Sequence, residues 1–194
     1  PVVLATATPS VAPEPAPSAT PTPTATPRAL APAATPAVTT AGAAKAVFRG
    51  PTGRRFIALT FDAGADVGYT TLILDTLRAK GARASFGMTG AWAEAHPDLV
   101  RRIAAEGHDF INHTYNHDSF TGVSTGRRAM SFEERARQLE RTEEIVASLT
   151  GKSTRPYFRP PYGDYDASVN SDIARLGFTQ NVLWTIDSTG WRGV

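Results

Sequence analysis

From Val47 onward, short apolar runs alternate with amphipathic stretches, and the two periods predict a repeating β/α pattern. Residues 55–61 read as a strand ending at Asp62, 82–88 as a second, 108–112 as a third, Tyr157-Phe158 as a short fourth and 178–186 as the last. Between them, residues 70–80 place Leu72, Ile73, Thr76 and Leu77 on one helical face, with Gly81 as a natural stop. Pro97 at a first helical position and Gly107 past the end bracket a helix over 98–106. Ser131-Phe132-Glu133-Glu134 has capping-box spacing, ahead of a helix whose stripe is Phe132, Leu139, Val146 and Leu149 and which stops at Gly151. A helix over 167–176, stopped by Gly177, precedes the last strand. Such a repeat folds as α/β with a mainly parallel sheet.

Two closures suit that repeat, a doubly wound open sheet and a barrel. Asp62, the pair His113 and His117, Arg159 and Asp187 each fall at or just after the C-terminal end of an expected strand. A barrel gathers those ends on one face. An open sheet spreads some of them along an edge, although its switch point still collects two or three. The expectation is therefore a distorted (β/α) barrel, incomplete because only about five strands are readable and no covering helix follows the last of them.

Composition divides the chain. Residues 1–46 are rich in Pro, Thr and Ala, with Glu14 and Arg28 the only charges before Lys45, so they are expected to form a disordered linker with polyproline II character. Residues 47–194 are expected to form one domain. Val2-Val3-Leu4-Ala5-Thr6-Ala7 reads either as the clipped end of a signal peptide or as the start of the linker. A formal net charge of +2, spread along the chain, argues against a nucleic-acid partner. Cysteine is absent, which removes thiolate ligands and nucleophiles and suits an extracytoplasmic setting. No apolar run approaches the ~18 residues of a membrane span.

The chemistry centres on His113-Thr114-Tyr115-Asn116-His117. Two imidazoles four residues apart lie on one face of a helical turn and can share a borderline ion such as zinc. A polar surface loop is the alternative for this pattern taken alone.

Four segments in order resemble carbohydrate esterase family 4, the NodB-homology polysaccharide deacetylases: Thr60-Phe61-Asp62-Ala63-Gly64, then 113–117, then Arg159-Pro160-Pro161-Tyr162, then Asp187-Ser188-Thr189-Gly190-Trp191. The resemblance implies a distorted barrel and metal-dependent removal of acetyl groups from polymers such as peptidoglycan, chitin or xylan. It implies His113 and His117 as metal ligands, Asp62 as general base and Arg159 as the group that holds a carboxylate. It further implies that the Tyr162 backbone N–H meets the oxyanion and that Trp191 walls the acetyl pocket.

The departures are equally specific. The family's first motif carries a second aspartate as a metal ligand where this chain has Ala63; Asp66 is the nearest replacement, with Asn112 and Asp118 weaker ones. Gly190 stands where a carboxylate is usual, so Asp187 becomes the expected partner of Arg159. The family's closing Leu-x-His motif has no counterpart, so the chain is expected to be a fragment or an incomplete enzyme. The resulting expectation is an extracytoplasmic, monomeric, zinc-dependent deacetylase acting on an acetylated polysaccharide. A glycan-binding pseudoenzyme and a hydrolase of small cyclic amides or imides are the alternatives.

Overall fold

The computed structural model describes residues 42–53, 55–64 and 66–192, the side chain of Trp191 excepted. The expected linker over 1–46 falls outside them except for its last residues. The strands are β1 (Lys45–Val47), β2 (Thr60–Ala63), β3 (Ser85–Met88), β4 (Asp109–Asn112), β5 (Tyr157–Phe158) and β6 (Gln180–Val182). The helices are α1 (Thr70–Ala79), α2 (Gly90–Ala95), α3 (Pro97–Ala105), α4 (Phe132–Thr150) and α5 (Ala167–Arg175). All pairings are parallel, in the order β1-β6-β5-β4-β3-β2.

From β2 to β6 the spatial order follows the chain without reversal, the winding of a barrel rather than of a doubly wound sheet. Closure is a different matter: β1 and β2 are the two edges and do not pair, so the ladder is open among the described residues. β1 also begins two residues before the boundary expected from composition, because Lys45 and Ala46 pair with Gln180 and Asn181.

Helix ends follow their local signals. Ser131 Oγ accepts from Glu134 N at 3.3 Å and a Glu134 carboxylate oxygen accepts from Ser131 N at 2.8 Å, the reciprocal capping box. Gly151, at φ 70°, ends α4. Strand starts do not follow theirs: residues 55–59 lie outside the sheet because the partner strand begins only at Ser85, opposite Thr60. The last strand likewise shrinks to Gln180–Val182, the span over which β1 pairs with it. On α1 the buried stripe is Thr70, Leu74 and Leu77, so the expected face is rotated and Leu72 is 61% exposed. α2 was not anticipated; Thr89 starts it by accepting from Trp92 N. Phe86, Met88, Leu74, Trp92, Ile103 and Val146 sit in the larger core, and Phe120, Leu139, Phe158, Val169, Ile173 and Phe178 in the second. No described helix is long and apolar enough to cross a membrane.

The second half of α4 is tied to the segment before β5 by one carboxylate. Glu143 accepts from Ser153 Oγ, from Thr154 Oγ1, and from Thr154 N at 2.8 Å, and pairs with Arg155 at 3.1 Å. Burial pushes this carboxyl up, but the Ser153 and Thr154 hydrogen bonds and the Arg155 charge outweigh burial and hold it below its ordinary value. A depressed folded value means that the stabilisation is complete above the unfolded value near 4.5 and is lost as pH falls through the folded one. Glu143→Gln is therefore expected to cost about 2 kcal/mol at pH 7, as for hydrogen bonds to a charged group. Denaturant unfolding of both proteins should show the gap narrowing below pH 4; a gap independent of pH would remove Glu143 from the account.

Candidate active site

Asp62, His113 and Arg159 stand at the C-terminal ends of β2, β4 and β5 and converge there. Asp62 lies opposite Gly87 of β3, and a Cβ at Gly87 would sit 2.2 Å from Asp62 Oδ1. The missing side chain is what lets the carboxylate lean across the neighbouring strand. Arg159, 2% exposed, uses all its reach: Nη1 donates to Asp62 Oδ1 at 2.7 Å, Nη2 to Thr60 Oγ1 at 3.0 Å and Nε to the Val182 carbonyl at 3.0 Å. The Trp184 ring lies over the guanidinium, 5.6 Å from centroid to Cζ.

The other Asp62 oxygen, Oδ2, faces His113 Nε2 at 3.8 Å. His113 Nδ1 is 2.8 Å from the Arg159 carbonyl, which can only accept, so Nδ1 carries the proton and Nε2 keeps its lone pair. Burial pushes both His113 and His117 below their ordinary values; for His117 the neighbouring His113 adds to it. Both rings are thus neutral donors at neutral pH. They stand 4.8 Å apart, edge to face at 77°.

The reason they meet differs from the helical turn expected from spacing. Thr114 (φ 65°) and His117 (φ 64°) are both left-handed, and segment 113–118 is an irregular loop. Each such residue costs about 1–2 kcal/mol. The loop's backbone donors are all satisfied. His113 N bonds the Met88 carbonyl, Thr114 N bonds Asn112 Oδ1, and Tyr115 N and Asn116 N share Gln138 Oε1. His117 N bonds Thr114 Oγ1 and Asp118 N bonds Asn116 Oδ1. A Cβ at Gly64 would press to 3.1 Å from the Thr89 methyl and lie 3.8 Å from the His117 ring, so the glycine leaves room at the exit of β2.

Tyr162 follows two prolines, has φ 62°, and sets its exposed ring edge-on to His117 at 4.8 Å. Its N–H meets no acceptor among the described residues.

Three expectations change. Asp66 does not join the imidazoles: its carbonyl accepts from Trp92 Nε1 at 2.8 Å, and its Oδ1 lies 3.1 Å from where a Gly68 Cβ would be. The glycines do turn the chain tightly, but the turn folds the carboxylate over Gly68. Among the described residues no three His, Asp or Glu side chains form a metal-holding group. Ala63, where a further carboxylate was expected from the motif, is buried in the larger core. Among the described residues Asp187 forms no ion pair with Arg159, whose guanidinium is turned to Asp62, Thr60 and the Val182 carbonyl; it accepts from Thr189 N at 2.7 Å, two residues on. The weaker ligand candidates are also engaged elsewhere. Asn112 is fully buried and bonded to the Leu139 carbonyl and Thr154, and Asp118 is bonded to Asn116 and Arg127. The Trp191 side chain lies outside the described residues.

His108 accepts from Ala84 N at 3.3 Å and has a structural role. His96 is half-buried against Trp92 at the start of α3. Sequence reasoning missed Thr60, Gly87 and Gln138. An isolated glycine inside a strand run was a usable signal for Gly87; nothing local marks the other two.

The two imidazoles suit a divalent ion at two coordination positions, with His113 fixed by an outer hydrogen bond in the ligating tautomer. The polysaccharide deacetylase family model matches residues 49–181. The peptidoglycan-N-acetylglucosamine deacetylase of Bacillus cereus is 37% identical over 150 residues, covering 76% of this chain and 50% of that protein. A solved peptidoglycan N-acetylglucosamine deacetylase superposes with a TM-score of 0.68 at 35% identity, over 77% of this chain and 65% of that one. A mutant of a family 4 carbohydrate esterase pseudoenzyme, with restored enzymatic activity, superposes at 0.67 with 25% identity, over 76% of this chain and 51% of that one. The chain spans about half the length of the Bacillus cereus relative. The chain belongs to the polysaccharide deacetylase family.

Proposed function

We propose that this chain is the hydrolytic part of an extracytoplasmic, metal-dependent deacetylase that removes N-acetyl groups from a polysaccharide, with peptidoglycan as the favoured polymer. The observation that carries the reading is the Asp62 carboxylate, with one oxygen held by Arg159 and the other facing His113 Nε2. A base needs one oxygen fixed for orientation and one free for a proton, and Asp62 has both. The polymer is favoured because the relatives that act on peptidoglycan are similar over three quarters of the chain. A Pro/Thr/Ala stretch ahead of the domain is consistent with a wall-side location.

In this reading His113 and His117 hold one divalent ion, zinc being well suited to imidazole. When bound, the ion supplies Lewis-acid polarisation of the acetyl group. Asp62 takes a proton from the attacking water, whose oxygen bonds to the acetyl carbon to give a tetrahedral oxyanion; as this collapses the C–N bond breaks and the proton held by Asp62 passes to the departing nitrogen, leaving acetate and an amine. The unpaired Tyr162 N–H donates to the oxyanion, as a fixed dipole needing no reorganisation. Trp191 walls the acetyl methyl. A glycan-docking role is favoured by one observation, that among the described residues no third metal-holding side chain joins the two histidines; acetate release separates the two readings.

Asp62→Asn is expected to lower kcat/KM for acetate release from peptidoglycan by at least about 10²-fold. Gly87→Ala should cause a loss of similar order with an unchanged circular dichroism spectrum, because its Cβ evicts the carboxylate from its place over β3. Full turnover in either folded variant would assign the base elsewhere. Metal analysis supplies a separate check: the parent, stripped and refilled, should retain one ion per chain, and the His113→Ala/His117→Ala double variant none. Equal retention sinks the metal assignment.

A further inference from the structure

The segment 113–118 holds two left-handed residues with no glycine among them, so something outside it must hold its shape. Three of its six backbone donors are satisfied locally, within the loop or from the end of the strand that precedes it. The remaining contacts come from three other elements. The Met88 carbonyl takes His113 N, and the start of α2 binds the Thr114 and Tyr115 carbonyls through Gly90 N and Ala91 N, each at 3.0 Å. The middle of α4 supplies Gln138, whose Oε1 takes Tyr115 N at 2.9 Å and Asn116 N at 3.1 Å.

We propose that Gln138 is a positioning residue for the metal-ligand pair, its single amide oxygen clamping two successive N–H groups so that His117 is brought back to face His113. The clamp sits midway between the two ligands in sequence and is, among the described residues, the one side-chain hydrogen bond from a distant element to the loop backbone. It is also specific in chemistry, since both bonds use the oxygen and neither uses the amide nitrogen. A carboxylate of the same length can replace it; a thioether of similar shape cannot.

The inference rests on reading His113 and His117 as metal ligands, so its test carries one readout that does not involve metal. In the full chain, Gln138→Met and Gln138→Glu are compared with the parent by amide hydrogen exchange at Tyr115 and Asn116 without metal, and by titration with zinc alone. The Met variant is expected to lose protection at those two amides selectively. It should also bind zinc about tenfold more weakly, the lower range for loss of an outer-shell contact. The Glu variant is expected to keep the protection and to bind within about threefold of the parent or tighter. Unchanged exchange and affinity in the Met variant overturn the proposal, as does a Glu variant impaired as badly as the Met one. Global loss of helix in the Met variant also overturns it, by assigning Gln138 to the stability of the fold as a whole. If exchange responds as expected while even the parent binds no zinc, the clamp stands as a loop device and the metal reading is what fails.

Discussion

The buried ion pair between Arg159 and Asp62 is the constraint on which the rest of the site depends. Their strands, β5 and β2, are three steps apart in the sheet, and in a flat sheet three steps amount to about 14 Å. The side chains nevertheless meet at 2.7 Å. The long arginine side chain crosses β4 and β3 to make this contact, and Gly87 on β3 removes the side chain that would collide with Asp62 Oδ1. A guanidinium that is almost wholly buried is costly unless it is paired and hydrogen-bonded, and here each of its three nitrogens donates once, to a carbonyl, a half-exposed carboxylate and a hydroxyl.

Legibility in the sequence followed the range of the interaction. Helix limits were readable because their determinants are local: a capping box at Ser131, Pro97 at a first turn, Gly151 just past an end. Strand starts were not, because the Arg55–Leu59 run has no partner until β3 begins at Ser85. The histidine pair was readable from composition and order, yet the i, i+4 argument that selected it does not describe how the rings meet. That depends on two left-handed residues held by other elements, which no short window contains. Asp66 failed for a related reason: glycines license a tight turn without fixing which way the carboxylate ends up.

Family motifs located Asp62, the histidines and Arg159 because those residues lie on the segments that define the family. Residues that brace them, such as Thr60, Asn112 and Gln138, were legible only once strands and helices had been brought together. Ala63 is a genuine departure and has a physical consequence. With its methyl in the core, the strand end spends its polar capacity on Asp62 alone, and the donors available near the histidines are two imidazoles and a carboxylate already committed on one side.

Arg159 serves the site twice, through different atoms. Its guanidinium grips Asp62, while its main-chain carbonyl fixes the His113 tautomer. A side-chain change at this position can cut the first link and leave the second whole, whereas a shift of the peptide moves both together. Orientation of the Asp62 carboxylate and presentation of the imidazole lone pair are therefore coupled through the position of that peptide. The two halves of the chemistry are kept in register by a single residue rather than by the stiffness of the whole sheet.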